Sequence, residues 1–384
     1  MIGRSVAALL LLPAALSAQL ARSAAPVTAG AGIAAPAEQP AADSGPQVKL
    51  GAFLDAYYAW DGDRPPTFDR AYTTQPARHA EFNLNLAFVE AVLSAPRYRG
   101  RLALQWGTSV QANYAGEPQL GSVSGPSVSQ YVQEATIGYR LAPGLWLDAG
   151  IFFAHTGMEA WISRDNLAYT RSLIADFSPY YEAGAKLTWT ASPAVTAQLV
   201  IVNGWQDISN YNTPPATGVR VDWAVSPALT LSYDDFLGNA TADSLPRHVR
   251  FYNDFIVQLG PAGPWQFAAA VALGFQTRSA PGGGTASWYG ASLFGKYHAT
   301  PRLALVARLE SYDDPDQVIV KTGVPAAFRT VGASVGLDVA LTAPLLWRTE
   351  VRAFASRSAV WPDVSAGRYV PDDGFIVTSL SLRY

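Results

Sequence analysis

GFIVTSLSLRY, residues Gly374 to Tyr384, closes the chain on a strict alternation. Ile376, Thr378, Leu380, Leu382 and Tyr384 make one face, apolar or nearly so; Phe375, Val377, Ser379, Ser381 and Arg383 make a wetter one. A period of two means a strand with two unlike faces. A strand of about ten residues that ends on an aromatic suits a membrane-spanning barrel closing on its first strand. The first candidate partner is Gln47 to Trp60, where Val48, Leu50, Ala52, Leu54, Ala56, Tyr58 and Trp60 alternate with Lys49, Gly51, Asp55 and Tyr57. Pairing these two segments removes the sheet's free edges, without which no sheet can sit in lipid.

Working outward, the same alternation recurs along the chain. A second strand, Glu81–Leu93, puts out Phe82, Leu84, Leu86 and Phe88 and slips phase near Val89, as a bulge would make it do. The third carries Leu102, Leu104, Trp106, Val110 and Tyr114 on one face. Further segments bring the expectation to an all-β, antiparallel, up-and-down transmembrane barrel of ~16 strands, an even number as such barrels require. Short connections carry proline, as in LAPG from Leu141 and ASPA from Ala191; long ones are rich in Gly, Asp, Asn and Ser. The two kinds alternate strictly, which is the asymmetry of periplasmic turns and external loops. Proline suits the turns because it lacks a ladder donor. Rings gather at strand ends: Trp189, Trp223, Trp265, Trp347, Tyr139, Tyr297 and Tyr384 near the turns, Tyr58, Trp60, Tyr114, Tyr181 and Tyr289 toward the loops. Two aromatic girdles are expected of a barrel in a bilayer.

Composition agrees. Of 384 residues only 15% are charged, against the quarter or so of a soluble globule, while 12% are aromatic. Mean hydropathy is +0.08, the middling value of a wet inner face averaged with an oily outer one. A net charge of −3 does not argue for nucleic acid, and the absence of cysteine excludes thiol chemistry and thiolate metal sites. Four scattered histidines show no metal-ligand spacing, no G-x-S-x-G elbow or phosphate loop occurs, and no cofactor, metal or catalytic group is expected. At the front, Arg4, the apolar run Val6–Leu16 and the small residues to Ala18 read as a cleaved export signal over 1–18. Residues 19–46, rich in Ala and Pro, read as a disordered periplasmic lead-in, and 47–384 as the barrel.

Strand phase sorts the charges onto the wetter face: Arg101, Arg220, Arg250, Arg308, Arg348, Glu350 and Arg352 among them, with Lys186, Asp55, Asp254 and Glu310. A charge facing lipid near mid-membrane costs roughly 2–4 kcal/mol, so this placement implies water inside. The run Arg348, Glu350, Arg352 reads either as a selectivity ladder or as salt-bridged wall. The third long loop, 154–179, is the longest and the candidate constriction, with His155, Glu159, Trp161, Arg164, Asp165 and Arg171 to set a transverse field; the alternative is an external solvated loop.

Several stretches also carry a resemblance. VKLGAFLDAYYAWDGDRP (Val48–Pro65), EFNLNLAFVEA (Glu81–Ala91), GIFFAHTGME (Gly150–Glu159), SRDNLAYTRSL (Ser163–Leu173) and VNGW (Val202–Trp205) resemble the OmpL-like β-barrel porins of the porin-2 group, channels of the Gram-negative outer membrane. Where those proteins carry Gly-Lys-Phe entering the third loop, this chain has Gly150-Ile151-Phe152. The resemblance implies a diffusion channel with lipid and small hydrophilic solutes or ions as partners, and a homotrimer is the assembly such barrels commonly form. A substrate-specific channel with a lumenal binding site, or a non-conducting adhesin or structural barrel, stays open beside it.

Overall fold

A computed structural model describes residues 45–363 and 367–384, with backbone alone at 261–262. The export signal and most of the lead-in lie outside the described residues. The strands are β1 (Gln47–Asp61), β2 (Phe82–Ser94), β3 (Tyr98–Trp106), β4 (Val132–Ala142), β5 (Leu145–Phe153), β6 (Tyr181–Ser192), β7 (Val195–Val202) and β8 (Ala216–Ser226). They continue as β9 (Leu229–Asn239), β10 (Val249–Ala262), β11 (Trp265–Gln276), β12 (Ala286–Thr300), β13 (Leu303–Asp314), β14 (Phe328–Ala340) and β15 (Leu345–Ser356). A small hairpin, β16 (Trp361–Asp363) and β17 (Arg368–Val370), sits in the last long loop before β18 (Asp372–Arg383). Sixteen of these strands, all but the hairpin, form one closed antiparallel barrel in chain order, with β18 returning to β1. The closing register sets Leu54 against Leu382 and Trp60 against Ile376. No row of unpaired amides is left for lipid to meet.

The expected faces hold on the closing strands. Leu50 is 73% exposed and Trp60 43%, whereas Asp55 between them is fully buried. The turn-side girdle is outward, with Trp189, Trp223, Trp265, Trp347, Tyr139 and Tyr384 all exposed. On the loop side Trp60 and Tyr289 are exposed, but Tyr114 and Tyr181 are not: they are fully buried and stack on each other with ring centroids 4.2 Å apart.

Two further differences come from the chain's second and third strands. The phase slip falls at Asn85, not Val89, because Asp55 pairs with Leu86 and Ala56 with Leu84. Asn85 is the extra residue, and its side chain donates to Asp55 at 2.8 Å. Leu86 and Phe88 consequently turn inward and are buried. The third strand ends at Trp106, and residues Thr108–Tyr114 form the helix α1 instead of continuing outward. Gly107 makes that break, with φ of +134° and no room for a Cβ, which would stand 2.3 Å from the Asn85 carbonyl. Val110 and Tyr114 are thereby carried into the barrel. Short helices α2 (Pro126–Ser129) and α3 (Leu173–Asp176) and the 3₁₀ turns Ser163–Asp165 and Pro281–Gly283 lie in the loops.

The interior departs most from the watery lumen expected. A continuous apolar cluster crosses it, joining Tyr57, Val200, Phe236, Tyr252, Ile256, Phe294, Tyr312 and Phe375 of the wall to Met158, Tyr169, Leu173 and Ile174 of the third long loop. The inner face of β11 is Ala268, Ala270 and Ala272, all buried. Small side chains there leave room for the apolar cluster that fills this part of the lumen.

Candidate functional site

The third long loop, between β5 and β6, folds inward along nearly its whole length. Much of its backbone is bonded by side chains of the wall, as a buried backbone requires. The anchor lies on β13 and β15. Arg308 donates to the Thr170 carbonyl at 2.7 Å and to Glu350 at 2.8 Å, and Glu350 accepts from the Thr170 N–H at 2.7 Å. Glu310 accepts from the Leu173 N–H at 2.7 Å while Arg352 grips it with two bonds of 2.8 Å. The alternation that puts Arg308, Glu310, Glu350 and Arg352 inward is what brings these charges together, and all four are buried. Fork-on-carboxylate pairing of this kind is the strong form of an ion pair.

Below this anchor the loop keeps descending. Arg348 donates to the carbonyls of Ser163 (2.8 Å) and Leu167 (2.6 Å), and Ser163 donates to Asp55 at 2.7 Å. At the tip, Arg164 donates to the carbonyls of Pro344 and Ala343, which belong to the periplasmic turn between β14 and β15. Its neighbour Asp165 pairs with Arg383, the penultimate residue, at 2.7 Å. The loop thus enters from the external side and reaches the periplasmic rim. Among the loop candidates, Arg164 and Asp165 stand there as a clamp, away from Glu159 and Arg171 higher in the barrel.

The loop's root is stitched to the opposite wall. His155 meets both Glu182 oxygens at 2.9 Å and the Asp235 carbonyl at 2.7 Å. Burial works against its imidazolium, yet Glu182, and Asp234 beyond it, hold its pKa above the usual histidine value. The ring enters a gap in the β8–β9 ladder, where Thr217 pairs with Leu237 and the next pair is Arg220 with Asp234. Gly218 leaves it room, for a Cβ there would stand 2.2 Å from Nε2. The Val219 N–H in that gap is taken by the Asp235 side chain at 3.0 Å. Arg220 donates to the carbonyls of His155 and Gly157, each at 2.9 Å. Glu159 accepts from the Ser172 N–H at 3.1 Å, and Arg171 lies over the Tyr180 ring at 3.4 Å.

The remaining candidates stand elsewhere. Arg250 lies over Trp205 near the external mouth. Arg101 belongs to a separate group on β2–β5, paired with Glu90 (2.7 Å) and Glu134 (2.5 Å), beside the Arg99–Asp148 pair. These side chains keep contact with water: Arg99 is 27% exposed, Glu90 20% and Arg101 18%. Sequence reasoning missed Thr170, Gly218 and the alanines of β11. The run AAAVALG within β11, apolar on both faces, was the readable sign that something other than water covers the inside.

A closed sixteen-stranded barrel with an oily exterior, aromatic belts and a long loop folded into its lumen is the architecture of an outer-membrane porin. The chain belongs to the family described as "Putative beta-barrel porin-2, OmpL-like", whose pattern matches residues 47–374, a family of channels rather than catalysts. No match is found among curated proteins. In fold the chain is similar to the anion-selective porin from Comamonas acidovorans, at 9% identity and a TM-score of 0.57, covering 88% of this chain and 100% of that one. The outer membrane channel DcaP of Acinetobacter baumannii gives 9% and 0.57, with 92% and 100% covered. The trimer form of OmpT, an outer membrane protein of Vibrio cholerae, gives 8% and 0.56, with 89% and 100% covered. The protein is an outer-membrane porin, located in the bacterial outer membrane.

Proposed function

We propose that small hydrophilic solutes or ions cross passively beside the third long loop, which narrows the lumen, along the wall of β2–β5. One observation carries this reading. The loop's buried polar anchors go to β13, β15, β1, β6, β8 and β9, while on β2–β5 the charges Arg99, Arg101 and Glu90 pair with one another or with the buried Glu134 and Asp148 and stay partly wet. Opposite charges facing a narrow aqueous path set a local field that orients and sorts what passes. A loop held by buried ion pairs is a rigid constriction, not a flap. Purified protein in a planar bilayer should give small stepwise conductance, and liposomes should swell with small sugars and lag with larger ones. A silent bilayer at high protein load would overturn the reading. The proposed assembly is a homotrimer, the form in which the Vibrio cholerae protein was solved; chemical cross-linking in native membranes should stop at three copies.

A further inference from the structure

The inner face of β9 and β10 holds a set of buried polar atoms that the loop's docking does not use. Asp254 of β10 is fully buried, and no side chain hydrogen-bonds its carboxylate oxygens, the N–H of its neighbour Phe255 being the donor beside them. Directly across the strand pair stands Asp234, close enough for side-chain contact, since opposed residues on one face lie about 5 Å apart at Cβ. One Asp234 oxygen takes Arg220 and the Gly157 N–H, each at 3.1 Å, and the other has no partner. Two residues before Asp254 on the same face, the Tyr252 hydroxyl is buried without a partner, and it feels the charges of both Asp254 and Asp234.

The charges around this set do not balance. Arg220 and His155 are the cations that serve it, but Arg220 also grips Asp222 at 3.0 Å and His155 is shared with Glu182 at 2.9 Å. Glu159 of the loop adds another negative charge near Asp254. An ionised carboxylate out of water with no counter-charge is among the costliest arrangements a protein can hold, and inside a membrane protein it marks a place where a cation belongs. The free donors and acceptors here are oxygens, the ligands of hard cations. Among the described residues no three His, Asp or Glu groups converge as a divalent metal would need. With Arg220 set against Asp234, one carboxylate charge is left to neutralise, which an ion of single charge matches.

We propose that Asp254, with Asp234 and Tyr252, forms a lumenal site for a small monovalent cation, an alkali-metal ion or ammonium. Occupancy neutralises the carboxylate pair and ties β9 and β10 to the loop. The site is separate from the wet wall of β2–β5 and needs no current to be seen.

The test is urea unfolding of the lipid-reconstituted barrel, titrated with KCl and, at matched ionic strength, with choline chloride, whose cation is too bulky to enter. One bound ion lowers the unfolding constant about tenfold for each tenfold rise in K⁺ above its dissociation constant. Wild type should show that slope in K⁺ and not in choline. Asp254→Asn should remove the difference, and Tyr252→Phe, which keeps both charges, should weaken it. Equal slopes in the two salts for wild type, or a K⁺ effect that survives in Asp254→Asn, would overturn the proposal, a neutral protonated Asp254 being one way to that result. A silent bilayer alongside an intact K⁺ effect would sink the channel reading and leave the site standing.

Discussion

The two walls of the barrel treat charge in opposite ways. On β13–β15, Arg308, Glu310, Arg348, Glu350 and Arg352 are buried, each within reach of the loop or of one another. On β2–β5, Arg99, Arg101 and Glu90 form comparable pairs that remain open to water. The spacing of charges along the strands is alike; what differs is whether a loop covers them. Buried pairs hold structure in place, because removing one partner strands the other. Wet pairs cost little to rearrange and are free to act on passing solute.

The difference can be broken from the buried side first. Arg308→Ala strands Glu350 and removes the bond to Thr170, so a loss of about 3–5 kcal/mol in urea unfolding is expected. The loop should loosen with it, giving larger and noisier single-channel steps. Gly218→Ala comes next, since its methyl group must displace His155 or the Asp235 carbonyl; about 1–3 kcal/mol is expected. The double variant Gly218→Ala/His155→Ala should recover part of the packing strain while still losing the Glu182 bond, measured by protease cutting within 154–179.

From the wetter side, Arg101→Ala should cost less than Arg308→Ala, because Glu90 stays partly exposed and Lys186 remains beside the buried Glu134. It frees Glu90 and Glu134 to face the path and should move the reversal potential in a KCl gradient toward cation preference. An unchanged reversal potential would place the path elsewhere. The smallest effect is expected at the external rim, at Asp63, whose pKa is pushed up to about 7 by burial and by Asp61, Asp363 and Asp372. A carboxyl raised in the folded state contributes stability that is complete below its unfolded pKa and is lost as pH rises through the folded one. Amide protection factors around residues 62–81, taken relative to the intrinsic exchange rate at each pH, should therefore fall between about pH 4 and pH 7, and Asp63→Asn should flatten that response.

Much of the barrel was legible because a strand's faces are written in every second residue. Ile376, Leu380 and Leu382 had to face lipid, and the closing pair followed from the need to leave no edge. Arg308, Glu350 and Arg352 were legible as inward for the same reason. The bulge at Asn85 and the helix after Gly107 were not, because both depend on contacts to other strands. Tyr114 and Tyr181 read as interface rings until the helix and the loops supplied another aromatic partner indoors.

Alternation, turn chemistry and aromatic placement therefore determined, from the sequence alone, an outer-membrane barrel of sixteen strands and the facing of its regular strands, though not of Leu86, Phe88, Val110, Tyr114 or Tyr181. Only the tertiary structure decided what those residues meet. Arg164 reaches the Pro344 carbonyl across 180 positions of chain, and Thr170 reaches Glu350 across the same span. Periodicity carries information about neighbours along and across a strand, and none about where a long loop comes to rest, which is settled by the shape and charge of the completed wall.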